Sequence, residues 1–260
     1  MNPHPVSDSD TDHHDHTDYD PFLSLQKRKS MLTFLYQTAR KIMLSRKTSL
    51  VRRLTPLNSR VLDIGCGTGE FLARLAHDYQ VVGLETEPKA AEYARVKHGI
   101  EVISGMLEES ALQPKQFSLI TMWHVLEHVP DPQNVMKIIS DLLEDGGHLI
   151  LGLPNIGSLD AYLYRKYWVA IDAPRHRWHF RKRQVYMLAD DAGFEIVRIG
   201  MLPFDLFYNI LLSEKSLIQT KSSTERLLSP IRMALTIPVS FLIGSLTNNY
   251  SSMFYVLRKS

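Results

Sequence analysis

The 260-residue chain has one cysteine, Cys66, so no disulfide can form within it. Cysteine scarcity of this kind is typical of a reducing compartment. The chain also lacks a secretory signal, because its N-terminus is acidic and has no apolar core. The nearest candidate for a membrane span, residues 233–246, is interrupted by Pro238 and Gly244 and is short of the roughly 20 apolar residues that a spanning helix needs. We therefore expect a cytoplasmic protein.

An excess of charge of one sign is also absent. The formal net charge is only +2. Because a charge this small does not favour binding to a polyanion, we expect no nucleic-acid partner. Residues 1–20 hold six aspartates and four histidines among few apolar side chains, which predicts a disordered tail over 1–21. His13, His14 and His16 match no structural zinc pattern, and we expect no metal site in the chain.

Residues 22–54 have apolar side chains at three- and four-residue spacing, with Lys and Arg filling much of the rest. The spacing predicts an amphipathic N-terminal helix, which we interpret as a lid beside the segment that follows. Its basic face is either solvated or attracted to anionic lipid or to an acidic partner.

Strand-like and helix-like patterns alternate from there on. Strands are predicted at 60–64, 80–85, 100–104, 117–123, 147–153, 194–199 and 253–257, and helices at 70–77, 88–98, 132–143 and 182–192. Such alternation predicts a doubly wound α/β fold with parallel pairing and right-handed crossovers. Ligands of such folds bind beyond the carboxyl ends of the strands.

The most informative segment follows the first of these strands. Gly65, Gly67 and Gly69 alternate with other residues, which lets the backbone turn sharply and approach a ligand. The dinucleotide-binding fingerprint requires another glycine where this chain has Glu70. Asp63 and Glu70 also flank the loop with negative charge, which disfavours a pyrophosphate. The loop suits a ligand with a cationic head, such as the sulfonium and ammonium of S-adenosylmethionine.

This loop resembles the cofactor loop of class I S-adenosylmethionine-dependent methyltransferases. Later segments resemble the same family in order: 81–85, 117–129, 146–155 and 174–180. The last of them is similar to a loop of the subgroup that includes the ubiquinone-type O-methyltransferases. The resemblance extends over about residues 59–200. It implies a Rossmann-like, seven-stranded sheet that is mostly parallel, with one antiparallel strand near the C-terminus.

The resemblance also implies S-adenosyl-L-methionine as the cofactor. The residues that would bind it are Asp63, Gly65, Cys66, Gly67, Gly69, Glu85, Thr86, Met106, Leu107, Trp123 and His124. Asp63 would position the methionine part and Glu85 the ribose hydroxyls. Met106 stands where family members often carry an acidic residue near the adenine amino group. Adenine would then be held by apolar packing and backbone groups, or by Glu108.

The candidate catalytic residues are His124, His128 and His176. The first two belong to a segment that matches the H-x-x-E-H pattern of inverted zinc peptidases. That chemistry needs both histidines on one helix face, whereas this segment follows a strand and precedes two prolines. We expect His124 near the cofactor sulfonium, and Glu127 or His128 facing the acceptor. His176 lies in a basic loop, where it either takes a proton from a hydroxyl or hydrogen-bonds the loop itself.

The sequence thus predicts a methyltransferase domain over 55–260, with a substrate loop at 155–181 and a helical apolar insertion at 204–247. We expect methyl transfer to an oxygen of a small-molecule or lipid-linked metabolite. The alternative is an S-adenosylmethionine-binding regulatory or assembly protein with little transfer activity. The insertion either covers the sheet or seats shallowly on a bilayer, which would place the protein peripherally at the inner membrane surface.

Overall fold

The computed structural model describes residues 31–219 and 223–260, so the predicted acidic tail and its histidines lie outside the described residues. The helices described are α1 (Met31–Leu54), α2 (Glu70–Ala73), α3 (Pro88–His98), α4 (Pro132–Leu142), α5 (Leu159–Tyr164), α6 (Lys182–Asp191), α7 (Pro203–Gln219) and α8 (Ser223–Thr247). The strands are β1 (Arg60–Ile64), β2 (Gln80–Glu85), β3 (Glu101–Ser104), β4 (Phe117–Trp123), β5 (Leu143–Pro154), β6 (Phe194–Met201) and β7 (Ser252–Lys259).

The strands form one seven-stranded sheet in the order β3-β2-β1-β4-β5-β7-β6. Strand β1 pairs in parallel with β2 and with β4, and β2 pairs in parallel with β3. Near the C-terminus β7 pairs antiparallel with β6. The predicted fold class, a doubly wound and mostly parallel sheet with one antiparallel strand, is confirmed.

The structure differs most from the predicted helices, strands and loops at three places. Helix α2 ends at Ala73 rather than at 77, because Arg74 N and Leu75 N donate to the carbonyls three residues back, which turns the chain out of the helix. Strand β5 is longer than predicted and begins at Leu143. The segment 155–181, predicted as a loop, contains the helix α5.

The predicted helical insertion at 204–247 forms α7 and α8. Helix α8 runs well beyond the apolar stretch 233–246 and contains both Pro230 and Pro238. Its part Arg226–Thr247 has a mean hydropathy of 1.6 and is long and apolar enough to cross a membrane, by length and composition alone. Only 17% of that window is buried.

The chain divides into two compact units. The first comprises the described part of residues 1–122 together with 138–148, and its core is built on β1 and β4, with Leu62, Leu119 and Ile120 fully buried. The second comprises 123–137 and the described part of 149–260, and its core includes Trp168 and Tyr255.

Helix α1 is attached to the rest of the first unit near its C-terminal end and near its middle. Leu50 and Val51 are buried, and Arg52 donates two hydrogen bonds to Asp78 Oδ2, at 3.0 and 2.8 Å. Farther towards its N-terminus, Arg40 forms an ion pair with Glu70 at the start of α2. The helix therefore contacts the end of the glycine loop directly.

Candidate active site

The glycine loop connects β1 to α2 and has the backbone that its sequence requires. Gly65, Gly67 and Gly69 have φ angles of 73°, 54° and 77°, in the region that L side chains rarely adopt. At Gly69 a second constraint applies, because an added Cβ would lie 2.7 Å from Ala94 Cβ of α3. Glycine is thus required at this position for conformation and for packing.

Replacing Gly69 should reduce stability more than replacing a glycine that has a positive φ angle but no close neighbour. We expect Gly69→Ala to lower the free energy of unfolding by about 2–5 kcal/mol, from left-handed strain and overpacking together. The matched control is Gly99→Ala, where φ is 65° but no atom lies within 4 Å of the added Cβ, and we expect about 1–2 kcal/mol there. Urea denaturation measures both, and equal losses would contradict the packing argument.

Asp63, on β1, is a buried carboxyl group whose Oδ1 accepts a 2.5 Å hydrogen bond from Thr121 Oγ1 of β4. Its pKa is raised to about 7, mainly by burial and also by the charge of Glu85, although the hydrogen bond from Thr121 and the charge of Lys47 act in the opposite direction. The group is therefore only partly ionised at neutral pH. A cation bound beside it would favour the ionised form.

Glu85, the last residue of β2, is buried and bonded to the glycine loop. Its Oε2 accepts from Gly67 N at 2.7 Å, and its Oε1 accepts from Glu87 N at 2.9 Å. The prediction that Asp63 and Glu70 flank the loop with negative charge needs correction, because Glu70 forms an ion pair with Arg40. The two acidic groups that influence each other across this loop are Asp63 and Glu85.

The remaining predicted cofactor residues of the first unit differ in exposure. Thr86 and Met106 are exposed after the ends of β2 and β3, and Leu107 is buried. The thiol of Cys66 packs against Gly83, whose added Cβ would lie 2.6 Å from Sγ. Burial raises the pKa of this thiol, which stays protonated. Cys66 can therefore offer a ligand its backbone rather than its sulfur.

These residues fit an adenosyl cofactor with a cationic sulfur. The carboxyl ends of the parallel strands β1, β2 and β3 lie at one edge of the sheet, so Asp63, the glycine loop, Glu85 and Met106 share that edge. A partly ionised buried carboxyl group is poorly suited to a phosphorylated ligand, since the anion would raise its pKa further. Trp123 and His124, also predicted to bind the cofactor, belong to the second unit.

His124 is held between two carboxylates of the second unit. Its Nε2 lies 3.0 Å from Asp205 Oδ2 and its Nδ1 lies 3.5 Å from Glu127 Oε1. Burial alone would lower the pKa of this imidazole, but Asp205 and Glu127 raise it to about 9. His124 also has a φ of 57°, a strained conformation that is common at functional sites. At neutral pH it is an imidazolium, which donates hydrogen bonds and cannot accept a proton.

Asp205 was missed by the sequence analysis, which assigned its segment to an apolar insertion. It lies in the first turn of α7, about 80 residues after His124, and belongs to no motif. Acidic residues are common in first turns of helices, so its position alone would not have distinguished it.

His128 and His176 are brought together, with ring centroids 4.7 Å apart. His128 Nδ1 lies 3.0 Å from the carbonyl oxygen of Arg175, and His176 Nδ1 lies 2.7 Å from that of Ala170. Since a carbonyl only accepts, Nδ1 is the donor in both rings, and in the neutral form Nε2 carries the lone pair. Burial lowers the pKa of His176, which favours its neutral form.

Backbone hydrogen bonds join the two histidine-bearing segments. The carbonyl oxygen of Glu127 accepts from Arg177 N at 2.9 Å and from Trp178 N at 3.1 Å. Trp178 Nε1 donates to the carbonyl oxygen of Val129 at 2.9 Å. These bonds hold residues 174–180 against residues 124–129, although the segments lie about 50 residues apart in the chain.

Glu127, His128 and His176 each offer one ligand atom, and these atoms lie within 4.8 Å of one another. One carboxylate and two imidazoles could hold a divalent transition metal. Among the described residues, neither carboxylate oxygen of Glu127 meets the geometry of a hydrogen bond. The H-x-x-E-H segment lies in a turn rather than on a helix, so its residues do not form the helical pair of a zinc peptidase.

The chain is similar to known methyltransferases. A family model described as "Methyltransferase domain" matches residues 35–199. The chain is 36% identical over 112 residues to the ubiquinone biosynthesis O-methyltransferase of Xanthomonas axonopodis, and the alignment covers 40% of this chain and 46% of that enzyme. The enzyme of the same name from Xanthomonas campestris is 32% identical over 165 residues, which cover 60% of this chain and 67% of that enzyme.

The fold also matches a solved structure. Phosphoethanolamine N-methyltransferase 2 of Haemonchus contortus, in complex with S-adenosyl-L-methionine, superposes with a TM-score of 0.57 over 83% of this chain and 52% of that protein. The sequence identity is 17%, so this likeness concerns the fold.

Proposed function

Because the chain belongs to the methyltransferase domain family that matches residues 35–199, we propose that it transfers a methyl group from S-adenosyl-L-methionine to an oxygen of a small-molecule or lipid-linked metabolite. The observation that carries this proposal is the pair of buried carboxyl groups, Asp63 and Glu85, beside a glycine loop whose three glycines have positive φ angles. The names of the Xanthomonas relatives support oxygen as the atom methylated.

We assign the cofactor to the first unit. Asp63 and the backbone of the glycine loop would hold the methionine part, and Glu85 the ribose. The exposed Met106 and Thr86 would line the adenosine pocket with Leu107. Trp123 is the last residue of β4 and directly follows Met122, which pairs with Ile64 at the end of β1. Trp123 and His124 are proposed as further cofactor residues because their segment resembles the fourth strand and following loop of the family.

The cofactor supplies a reactive methyl group, and the chain must orient the acceptor and remove its proton. Of the three candidate histidines, His176 is best suited to be the base. Its Nε2 carries a lone pair, and its lowered pKa keeps it neutral at physiological pH. His128, with the same tautomer at 4.7 Å, would share or relay the proton. A positioned base of this kind contributes roughly 10²–10⁴-fold to the rate.

His124 would have a different role. As an imidazolium whose two N–H groups are directed at Asp205 and Glu127, it would act through its positive charge, which stabilises negative charge that develops on a nearby acceptor oxygen. Glu127 and Asp205 would act through His124 by maintaining its charge and orientation.

We further propose a cytoplasmic location with peripheral contact at the inner membrane surface. The support is the exposed apolar side of α8, which water solvates poorly. A lipid-linked acceptor would fit such a location, and the acceptor is expected to be a small molecule rather than a nucleic acid.

Titration calorimetry tests the cofactor assignment. We expect S-adenosylhomocysteine to bind and NADH not to bind. The affinity for S-adenosylmethionine relative to S-adenosylhomocysteine should increase as the pH rises through about 7, since Asp63 then ionises beside the sulfonium. Asp63→Asn should remove this pH dependence. Binding of NADH in place of the sulfur nucleoside would refute the assignment.

Turnover with labelled methyl donor tests the reaction. A panel of phenols and catechols, with and without polyprenyl chains, should include an acceptor that is methylated on oxygen. Binding of S-adenosylhomocysteine without transfer to any acceptor would favour the alternative, a regulatory or assembly protein that binds the cofactor.

A further inference from the structure

Helix α8 exposes a row of aliphatic side chains, whereas its inner side combines hydroxyl groups with apolar contacts. Ser229, Thr236 and Ser240 are each less than 9% exposed, and Met233 and Ile237 pack against the core. The exposed aliphatic side chains are Leu227, Ile231, Leu235, Val239, Leu242 and Leu246. In water a helix buries its apolar stripe and exposes its polar face. This arrangement therefore indicates that another apolar medium covers the outer side.

The outer residues form one continuous stripe. Successive members are three or four residues apart, so they lie on one face, and the 20 residues from Leu227 to Leu246 extend it over about 28 Å. All but Val239 are at least 58% exposed.

The inner side of α8 is attached to its own unit. Arg232 is paired with Glu214 of α7, and the ring of Tyr250 packs against Gly244. A helix fixed along one side offers lipid only the other side, as in helices that lie in the plane of a bilayer surface.

A cationic pocket lies at the C-terminal end of the stripe. It has a volume of about 470 Å³, and its lining includes Ile243 and Thr247 of α8 together with Arg165 and Arg181. Both arginines are exposed, and neither forms an ion pair with any residue that the structure describes. Tyr162, also in the lining, is exposed and stacks with Arg165 at 5.7 Å. Aromatic and cationic side chains beside an apolar surface are typical of the level of lipid headgroups.

Helix α8 itself has a small positive charge. It contains Arg226, Arg232 and Glu225, and Arg232 is paired with Glu214 on the inner side. An apolar stripe with cations at its margin complements anionic lipid, in which the acyl region meets the stripe and the phosphates meet the arginines.

We propose that α8 lies in the surface of an anionic bilayer and that Arg165 and Arg181 bind the phosphate of an anionic phospholipid headgroup in the pocket beside it. This inference deepens the peripheral membrane contact proposed above by naming the surface and the lipid class. It does not depend on methyl transfer.

Vesicle flotation of the full chain tests the proposal. We expect the wild-type protein to float with vesicles of phosphatidylcholine and phosphatidylglycerol (about 7:3), and far less with phosphatidylcholine alone. Arg165→Gln with Arg181→Gln should weaken binding to the anionic vesicles roughly thirtyfold, from two lost cation contacts. Leu235→Ser with Leu242→Ser should weaken binding to both kinds of vesicle.

The matched control replaces Arg183 and Arg198 by Gln, which removes the same charge from exposed sites outside the pocket. This variant should bind anionic vesicles like the wild type. Equal losses in the two arginine variants would overturn the headgroup site, and absence of flotation would overturn the membrane contact. If the protein is a dimer without lipid and the Leu235→Ser, Leu242→Ser variant is a monomer, the stripe is instead an interface between two copies of the chain. Calorimetry with S-adenosylhomocysteine shows in each variant that the cofactor unit is intact, so failure of the proposed activity is recognised separately.

Discussion

Glu85→Ala is expected to abolish measurable binding of S-adenosylhomocysteine while leaving the protein folded. The substitution removes both carboxylate oxygens. One accepts a hydrogen bond from Gly67 N in the glycine loop at 2.7 Å, and the other accepts from Glu87 N in the turn before α3 at 2.9 Å. Hydrogen bonds to a charged group contribute about 1.5–3 kcal/mol each. The glycine loop would lose its fixed geometry together with the carboxylate proposed for the ribose. A decrease in affinity of at least roughly 100-fold follows, which calorimetry measures.

Two variants separate the role of Glu85 from general stability. Glu87→Ala removes a neighbouring carboxylate that caps α3 through Lys89 N, so we expect a loss of about 1 kcal/mol in stability and little change in affinity. Glu85→Gln keeps an acceptor for Gly67 N without the charge and should bind with intermediate affinity. If Glu85→Ala binds S-adenosylhomocysteine within threefold of the wild type, this carboxylate is not part of the cofactor site.

The second large effect is expected at His176. An Asn side chain can keep the hydrogen bond to the carbonyl oxygen of Ala170, since its amide group replaces Nδ1, but it has no group in place of Nε2. His176→Asn should therefore lower kcat by roughly 10²–10⁴-fold without changing the affinity for S-adenosylhomocysteine. In the wild type, kcat should decrease as the pH falls below the lowered pKa of His176, since the base must be neutral, and it should also decrease above about pH 9, where His124 loses its charge.

Neighbouring histidines provide the controls. His179 Nε2 lies 2.8 Å from the carbonyl oxygen of Ile171, and His179→Gln keeps that donor, so this variant should retain the wild-type kcat. His128→Asn keeps the bond to Arg175 in the same way and should have a smaller effect than His176→Asn. A large loss in His128→Asn with near-normal kcat in His176→Asn would assign the base to His128.

The glycine loop and the strands could be predicted because they depend on residues that are close together in the chain. The glycines of the loop require positive φ angles, and the structure has them at Gly65, Gly67 and Gly69. Apolar runs bounded by turn residues predicted each strand, with limits that differed by a few residues at most sites. Short-range features of this kind are determined by steric and solvation effects within a few residues, so they can be recognised in the sequence.

Charge relations were less predictable. Glu70 was expected to flank the loop with negative charge, yet Arg40 neutralises it from a helix about 30 residues earlier. Asp205 was not identified, although it contributes the shorter of the two carboxylate contacts to His124. Ion pairs between distant residues have no periodic pattern, because they depend on where the fold places two side chains.

The strands and the glycine loop could be predicted from the residues alone, because backbone conformation and the burial of apolar runs follow from neighbouring residues, whereas the topology of the sheet was implied by the resemblance to a known family. The charge on His124 and the pairing of His128 with His176 became apparent from contacts in the folded chain. The same contacts show that α8 exposes a row of aliphatic side chains and buries several hydroxyl groups, since apolar content in a sequence does not state which face a neighbouring helix covers. Both properties depend on local dielectric and on contacts between segments that are far apart in the chain.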